Sequence, residues 1–265
     1  MLSLSNISAA KGKDYYKQVD SFSGGAKTNS RWMGKGAKLL GLNGSVERDS
    51  YLNLMRGQQP CGTARLPGRY LKAGGHRAAL DMTFSAPKSV SIAALVGGER
   101  GVEEAHRRAV QTTLEHIETY HAQARLWDGR KQYSATTGNL VIAQFHCFTS
   151  RALDPQLLTH CVAISSTQCP EGNWKALTNE SIYRNSKLLG SIYENELAYE
   201  VKRLGYDLVK RQNCLFEIAG YASRQIDHFS KRRKQILQCA GPNASGRKKQ
   251  WATQVTRSGK MRPAP

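Results

Sequence analysis

The chain has 265 residues, 40% of them hydrophobic, and carries 39 Lys and Arg against 20 Asp and Glu for a formal net charge of +19. That length suffices for one large domain or two small ones with a proper core. No stretch approaches the roughly 20 apolar residues that span a bilayer, and Met1–Ser5 lacks the basic and long apolar runs of a secretory signal. The six cysteines are scattered without a CxxC pair and read as cytosolic thiols, not a disulfide frame. Such a basic balance points first to nucleic acid and second to an anionic membrane. Residues 231–262 contain no Asp or Glu and hold part of the excess, yet the remaining body is still basic.

In chain order, Leu2–Ile7 reads as a first strand, followed by a polar segment with Tyr15-Tyr16 and then Gly24-Gly25. Ala37–Leu40 predicts a short helix stopped by Gly41, and Tyr51–Arg56 another ended by Gly57. The segment 58–75 is Gly- and Pro-rich and reads as a loop. Leu80–Ser85 alternates like a half-buried strand. Ser85 and Pro87 then favour a helix over Lys88–Leu95. A long helix is expected from Gly101 to Ala124, a strand over Arg130–Thr137 and a short strand or turn over Trp174–Leu177. One amphipathic helix is expected over Glu180–Leu204, a hairpin from Tyr206–Val209 and Cys214–Ile218, and a last helix over Ser223–Gln238. Residues 241–265 read as a basic, mobile tail. Single and paired strands separated by helices argue for an α+β domain over 1–240, with a central antiparallel sheet and helices mainly on one face.

The most informative stretch is Phe145–Ile164. Two apolar runs flank Arg151–Pro155, whose Asp-Pro pair marks a turn. Read as adjacent antiparallel strands, they alternate faces, so Cys147 and Thr149 point one way and His146 and Phe148 the other. Cys147, Leu158 and His160 can then line one pocket, and two of these three can bind a metal.

Several motifs together resemble conjugative relaxase domains of the TrwC/TraI (MobF) type. They are Tyr15-Tyr16, Trp32-x-Gly34-Lys35-Gly36-Ala37, Asp81-x-Thr83-Phe84-Ser85-Ala86-Pro87-Lys88-Ser89-Val90-Ser91, Gly138-Asn139-Leu140-Val141-x-Ala143-x-Phe145, Thr149-Ser150-Arg151, Asp154-Pro155-Gln156-Leu157-x-Thr159-His160, Gly190-x-Ile192-Tyr193-x-x-Glu196-Leu197, Leu204-Gly205-Tyr206 and Phe229-Ser230-x-Arg232. Each is weak alone; the ordered set is specific and covers nearly the whole chain. The resemblance implies a HUH endonuclease palm fold. It implies a tyrosine that attacks a phosphodiester of single-stranded plasmid origin-of-transfer DNA, leaving a 5′-phosphotyrosine and a free 3′ hydroxyl. Three histidines would hold a divalent metal, and an Asp would assist.

Carried over residue by residue, Tyr15 and Tyr16 are the candidate nucleophiles and Asp81 the assisting carboxylate. The second tyrosine pair of the family falls at Phe22-Ser23, which offers no phenol. At the three metal positions stand Cys147, Leu158 and His160. His160 and Cys147 are therefore the candidate ligands of a weakened site, for Mg or Mn, with Zn favoured by the thiol. His146 lies one residue early and faces away in a regular strand. Arg151 and Lys88 are candidate phosphate contacts. Arg31 and Lys35, beside Trp32, sit where a Gly-rich backbone can approach DNA. The expected partners are single-stranded and hairpin origin DNA, relaxosome accessory proteins and a type IV coupling protein, in the bacterial cytoplasm and with no membrane. The helicase that follows in full-length relatives is expected to be absent. Three readings remain: a cleaving relaxase, a relative that binds origin DNA without efficient cleavage, and a remnant with no role. The Cys147/Leu158 pair separates the first two.

Overall fold

The structure, a computed structural model, describes residues 1–12, 14–16, 29–66, 77–211 and 215–256. Its centre is a five-stranded antiparallel sheet in the order β1 (Leu2–Ser8), β3 (Arg77–Ser85), β7 (Pro155–Ile164), β6 (Ile142–Thr149), β2 (Ser30–Met33). The inner strands are nearly continuous apolar runs because both of their faces are covered. On one face, Leu80, Met82 and Phe84 meet α3 (Lys88–Leu95), α4 (Arg100–His121) and α6 (Ser186–Arg203), which bring Val90, Leu114, Ile117, Tyr193 and Leu197. On the other, Trp32, Phe145, Cys147 and Val162 pack with Tyr16 and with Tyr51, Leu54 and Met55 of α2 (Arg48–Met55). The large helices thus share one face, as the element pattern implies.

The Trp-x-Gly-Lys-Gly-Ala stretch leads into α1 (Lys35–Leu39), one residue or two earlier than the apolar run suggests. Its glycines serve packing. Gly34 has φ +94°, and a Cβ there would lie 2.2 Å from the Leu140 carbonyl oxygen; a Cβ on Gly36 would lie 2.8 Å from the same carbonyl. Buried Glu118 closes the contact, its Oε1 accepting from the Lys35 N–H at 2.7 Å and the Leu140 N–H at 2.8 Å. Gly36→Ala should therefore cost about 1–3 kcal/mol of stability. Gly190→Ala, whose new Cβ would meet Leu2 Cβ at an ordinary 3.6 Å, should be neutral or stabilising. Urea denaturation distinguishes the two; equal effects would contradict this packing account.

Four sequence expectations are corrected. The long helix stops at His121, and Gln123–Trp127 forms β4, paired on one side with β5 (Gln132–Thr136) and on the other with β9 (Trp174–Thr178). With β8 (Ser166–Gln168) they make a second, four-stranded sheet. The helix expected over Glu180–Leu204 is two, α5 (Glu180–Arg184) and α6, divided at Asn185. Ser223–Gln238 likewise divides into α7 (Ser223–His228) and α8 (Lys231–Ala240) around Phe229 and Ser230. The basic segment after 241 is not a tail throughout: Gly246–Val255 is helix α9, and the Arg232 guanidinium donates to the Thr253 and Thr256 carbonyls. Between these helices and the sheet, Leu208–Lys210 and Phe216–Ile218 pair as the expected hairpin. No helix among the described residues is long and apolar enough to cross a membrane.

Candidate active site

Strand register builds the site. Thr83 of β3 lies opposite His160 of β7, and Asp81, two residues before Thr83, shares its face. On β6, Phe145 faces His160 and Cys147 faces Leu158. Asp81, Thr83, Cys147, Leu158 and His160 therefore lie on one face of the sheet, as alternation predicts for the last three.

The segment at 14–16 is helical, so adjacent side chains diverge by about 100°. This divergence separates the two tyrosines. The Tyr15 hydroxyl donates to Asp81 Oδ2 at 2.5 Å and stands 3.1 Å from His160 Nδ1. Tyr16 is buried, its hydroxyl donating to the Val46 carbonyl at 3.3 Å and its ring packed on Tyr51 and Phe145. Tyr15 sits in the polar cluster and Tyr16 in the core.

Asp81 gathers the site. It is 4% exposed, and its Oδ2 accepts from the Tyr15 and Thr83 hydroxyls while lying 3.0 Å from His160 Nδ1. Thr83 Oγ1 is also 3.0 Å from that nitrogen. Beside a carboxylate, Nδ1 is the nitrogen that carries hydrogen. Nε2 is then left on the other side of the ring. Burial, then the charge and hydrogen bond of Asp81, push the Tyr15 phenol well above its ordinary pKa. A protonated phenol is a poor nucleophile and needs a base as it attacks. Asp81 is placed to be that base. Sequence reasoning missed Thr83, whose place in the alternating run Asp81-x-Thr83 signals a shared face.

The other expected site residues are dispersed. Arg31 pairs across β2 and β6 with Gln144, and its Nε donates to Gln144 Oε1 at 2.5 Å on the helix-covered face. It is therefore behind the sheet, not in the Tyr15 cluster. Lys88 donates to the Pro155 carbonyl at 2.8 Å, holding α3 to the start of β7. Lys35 is exposed at the start of α1, and Arg151 lies in the turn between β6 and β7. Phe22 and Ser23 fall outside the described residues. Leu158 carries no donor atom, and no group of three His, Cys, Asp or Glu among the described residues is arranged to hold a metal ion.

His146 keeps to the face behind the site. Its Nδ1 lies 3.0 Å from Thr159 Oγ1, which is 2.9 Å from His106 Nε2, and His106 Nδ1 is 2.8 Å from the Tyr193 hydroxyl. Burial, with Arg107 and Arg31 nearby, lowers His146 to about 3, and burial holds His106 well below the imidazole range. Both rings are neutral in the fold but protonate in the unfolded chain below about pH 6.5. Stability is therefore complete above that pH and falls as pH drops toward 3, by about 1.4 kcal/mol per unit and group. Urea unfolding across this range should show a shallower acid slope for His146→Gln; an unchanged slope would contradict the assignment.

One protruding feature was not foreseen as a unit. The β4–β5 hairpin turns at Gly129, where Asp128 Oδ1 accepts from the Arg130 and Lys131 N–H groups. It exposes Trp127 (65%) and Tyr133 (44%) together with Arg125, Arg130 and Lys131. The register puts Trp127 with Arg125 on one face and Tyr133 on the other, and an exposed aromatic ring beside a cation is the chemistry of nucleic-acid stacking.

Residues 5–265 match the family described as TrwC relaxase. The chain is 36% identical over 271 residues to the multifunctional conjugation protein TraI of Escherichia coli, covering 98% of this chain, and 34% identical over 276 residues to TraI of E. coli strain K12. It spans only 15% of the length of either. Among solved structures it is similar to the conjugative relaxase TrwC with oriT DNA in a copper-bound form, at TM-score 0.89 and 36% identity, covering 98% of this chain and 92% of that one. A metal-free TrwC–oriT complex gives 0.88 at 38% identity, and a complex with a 27-mer comprising the recognition hairpin and cleavage site gives 0.86 at 37%, both with the same coverage.

Proposed function

The chain belongs to the TrwC relaxase family, and from that premise we propose that it nicks single-stranded origin-of-transfer DNA by tyrosine strand transfer. The observation that carries this reading is the Tyr15–Asp81 hydrogen bond of 2.5 Å beside His160. Tyr15 Oη attacks the scissile phosphorus as its proton passes to Asp81 Oδ2. The bond from phosphorus to the 3′ oxygen breaks, and that oxygen takes a proton from solvent. The product is a 5′-phosphotyrosine, which conserves the ester bond for later rejoining. His160 and Thr83 hold Asp81 and Tyr15 in register for the attack.

TrwC is known in metal-bound and metal-free complexes with oriT DNA. A divalent cation bound here would polarise the phosphate. The residues present do not fit a three-nitrogen centre: His160 is in place, Cys147 is a buried thiol, and Leu158 has no lone pair.

Exposed Trp127 and Arg125, two residues apart on one face of the β4–β5 hairpin, supply a DNA-contacting surface. Trp127→Ala should weaken oligonucleotide binding by about 1–3 kcal/mol if a base stacks there, measured by fluorescence anisotropy; unchanged affinity would remove the hairpin from the interface. The relaxosome accessory proteins and the coupling protein belong to the same proposal, which places the chain in the bacterial cytoplasm.

The test is to incubate the chain with a pool of 3′-labelled single strands, each with a hairpin followed by a randomised segment. Label retained on protein through SDS denaturation supports strand transfer. Leu158 favours a second reading, in which origin DNA is bound without cleavage. Strands captured natively but never covalently would establish that reading instead.

A further inference from the structure

We infer that an open cleft on the helix-covered side of the sheet holds a base of the single strand beyond the nick, as a second contact on the substrate. The inference rests on the strand-transfer reading above and extends the path of its DNA. The cleft, of about 530 Å³, lies between the end of α3 and helix α7. Tyr221, His228 and Phe229 give it three rings, Arg224 a cation, and Ile92 and Val96 an apolar wall. His228 meets Phe229 edge to face, with ring centroids 5.0 Å apart. Tyr221 packs against the large core that also holds α3, so the rings have a firm backing. Val96 is 57% exposed, and Arg224 makes no ion pair among the described residues. Glu99, close to Tyr221, and Asp227 are the acids of this region, and neither lines the cleft. Beyond Asp227 the chain contains no Asp or Glu, and α8 opens on Lys231-Arg232-Arg233-Lys234. Rings beside a cation in a positive field fit a base with its phosphate, whereas a basic peptide would be repelled.

The fold puts this cleft at one end of the substrate path. The Lys231 N–H donates to Asp154 Oδ2 at 2.8 Å, which fixes the junction of α7 and α8 to the β6–β7 turn. His160 lies about 17 Å along β7 from Pro155, the first residue after that turn. The β4–β5 hairpin belongs to the other end of the sheet. There β7 finishes at Ile164, whose N–H donates to the Val141 carbonyl, and β8 and β9 lead on to β4. A strand that touches Trp127 and crosses Tyr15 therefore leaves over the β6–β7 turn, past Arg151, and meets the cleft behind it. The chemistry of the transfer says which segment this is. The released 3′ hydroxyl has no covalent tie, so the Trp127 end must hold it in place for rejoining. The segment 3′ of the nick stays tethered to Tyr15 through its 5′ phosphate and leaves by the far end. Because it is tethered, one stacked base suffices to hold it there.

Photocross-linking on the full chain tests this. The probe is a long oligothymidylate carrying 5-bromouracil in place of some thymines, a base that couples on irradiation to rings it stacks on. Mass spectrometry of the digest should find the base on Tyr221, His228 or Phe229; cross-links confined to other surfaces would overturn the inference. Fluorescence anisotropy with the same strand gives the second readout. Phe229→Ala should weaken binding by about 5- to 100-fold, the worth of one stacked base. Val96→Glu, at an exposed position that leaves the core intact, should weaken it as well by setting a negative charge in the cleft. Affinity unchanged by Val96→Glu would overturn the inference. In strands that form the Tyr15 adduct, cross-links in the cleft should come only from bromouracil 3′ of the linked phosphate, and cross-links from the 5′ side would overturn the path. If no strand forms an adduct, the strand-transfer reading fails and takes the choice of segment with it, while the oligothymidylate result still decides the cleft.

Discussion

Replacing Tyr15 by Phe is expected to abolish the covalent protein–DNA adduct, while Tyr16→Phe leaves it intact. The two residues are neighbours, and the fold gives them opposite surroundings. Tyr15 alone has its hydroxyl against a carboxylate and an imidazole. Without that oxygen there is no atom to form the phosphoester, and no other group in the cluster supplies a phenol. Tyr16 places its ring 5.3 Å from Tyr51 and 5.9 Å from Phe145, between centroids, and spends its hydroxyl on Val46. Phe keeps the rings and loses one long hydrogen bond, worth about 1 kcal/mol. The expected result for Tyr16→Phe is therefore a lower melting temperature with adduct yield retained. An adduct surviving in Tyr15→Phe but not in Tyr16→Phe would reverse the assignment.

The second large effect is expected at Asp81. Burial holds the Tyr15 phenol protonated, so attack requires a base in contact with its hydrogen. Asp81 is that contact, and Asp81→Asn keeps the shape while removing the basic oxygen. Single-turnover adduct formation should fall by about 10²–10⁴-fold, the usual worth of a positioned base. Binding should not weaken, because a negative charge facing the DNA backbone has been removed. A rate unchanged in Asp81→Asn would make the 2.5 Å contact a structural one.

Much of this site is legible in the sequence, because strand alternation is a strict rule. The apolar runs on either side of Asp154-Pro155 give the β6–β7 pair, and the pairing places Cys147, Leu158 and His160 together with His146 behind them. The Asp81-x-Thr83 run gives the neighbouring strand. What could not be read is where a residue outside a strand arrives. Tyr15 and Tyr16 are equivalent in sequence and differ only in which neighbour the helical segment turns each toward. Arg31 next to Trp32 looks like a cation beside a stacking ring. In a strand, however, adjacent residues face apart, and Trp32 packs with the active-site cluster while Arg31 reaches Gln144 behind it. The glycines around Lys35 look like room for a DNA backbone and instead admit the Leu140 carbonyl.

The fold shows the same division. Long amphipathic helices announce themselves, whereas β4 is five residues with two charged or exposed aromatic positions, and its partners lie as far away as Thr178. Pairing, not composition, makes it a strand. The basic residues after 241 suggest a solvated tail, yet Ala252 is fully buried and α9 bonds back to Arg232. Charge on one face of a helix hides a small apolar contact on the other.

The most direct measurement of the central claim is mass spectrometry of the protein–oligonucleotide adduct after nuclease and protease digestion. Strand transfer through the Tyr15–Asp81–His160 cluster predicts fragment ions that place a 5′-linked nucleotide on Tyr15. A nucleotide found on Tyr16 or on any other residue would contradict it.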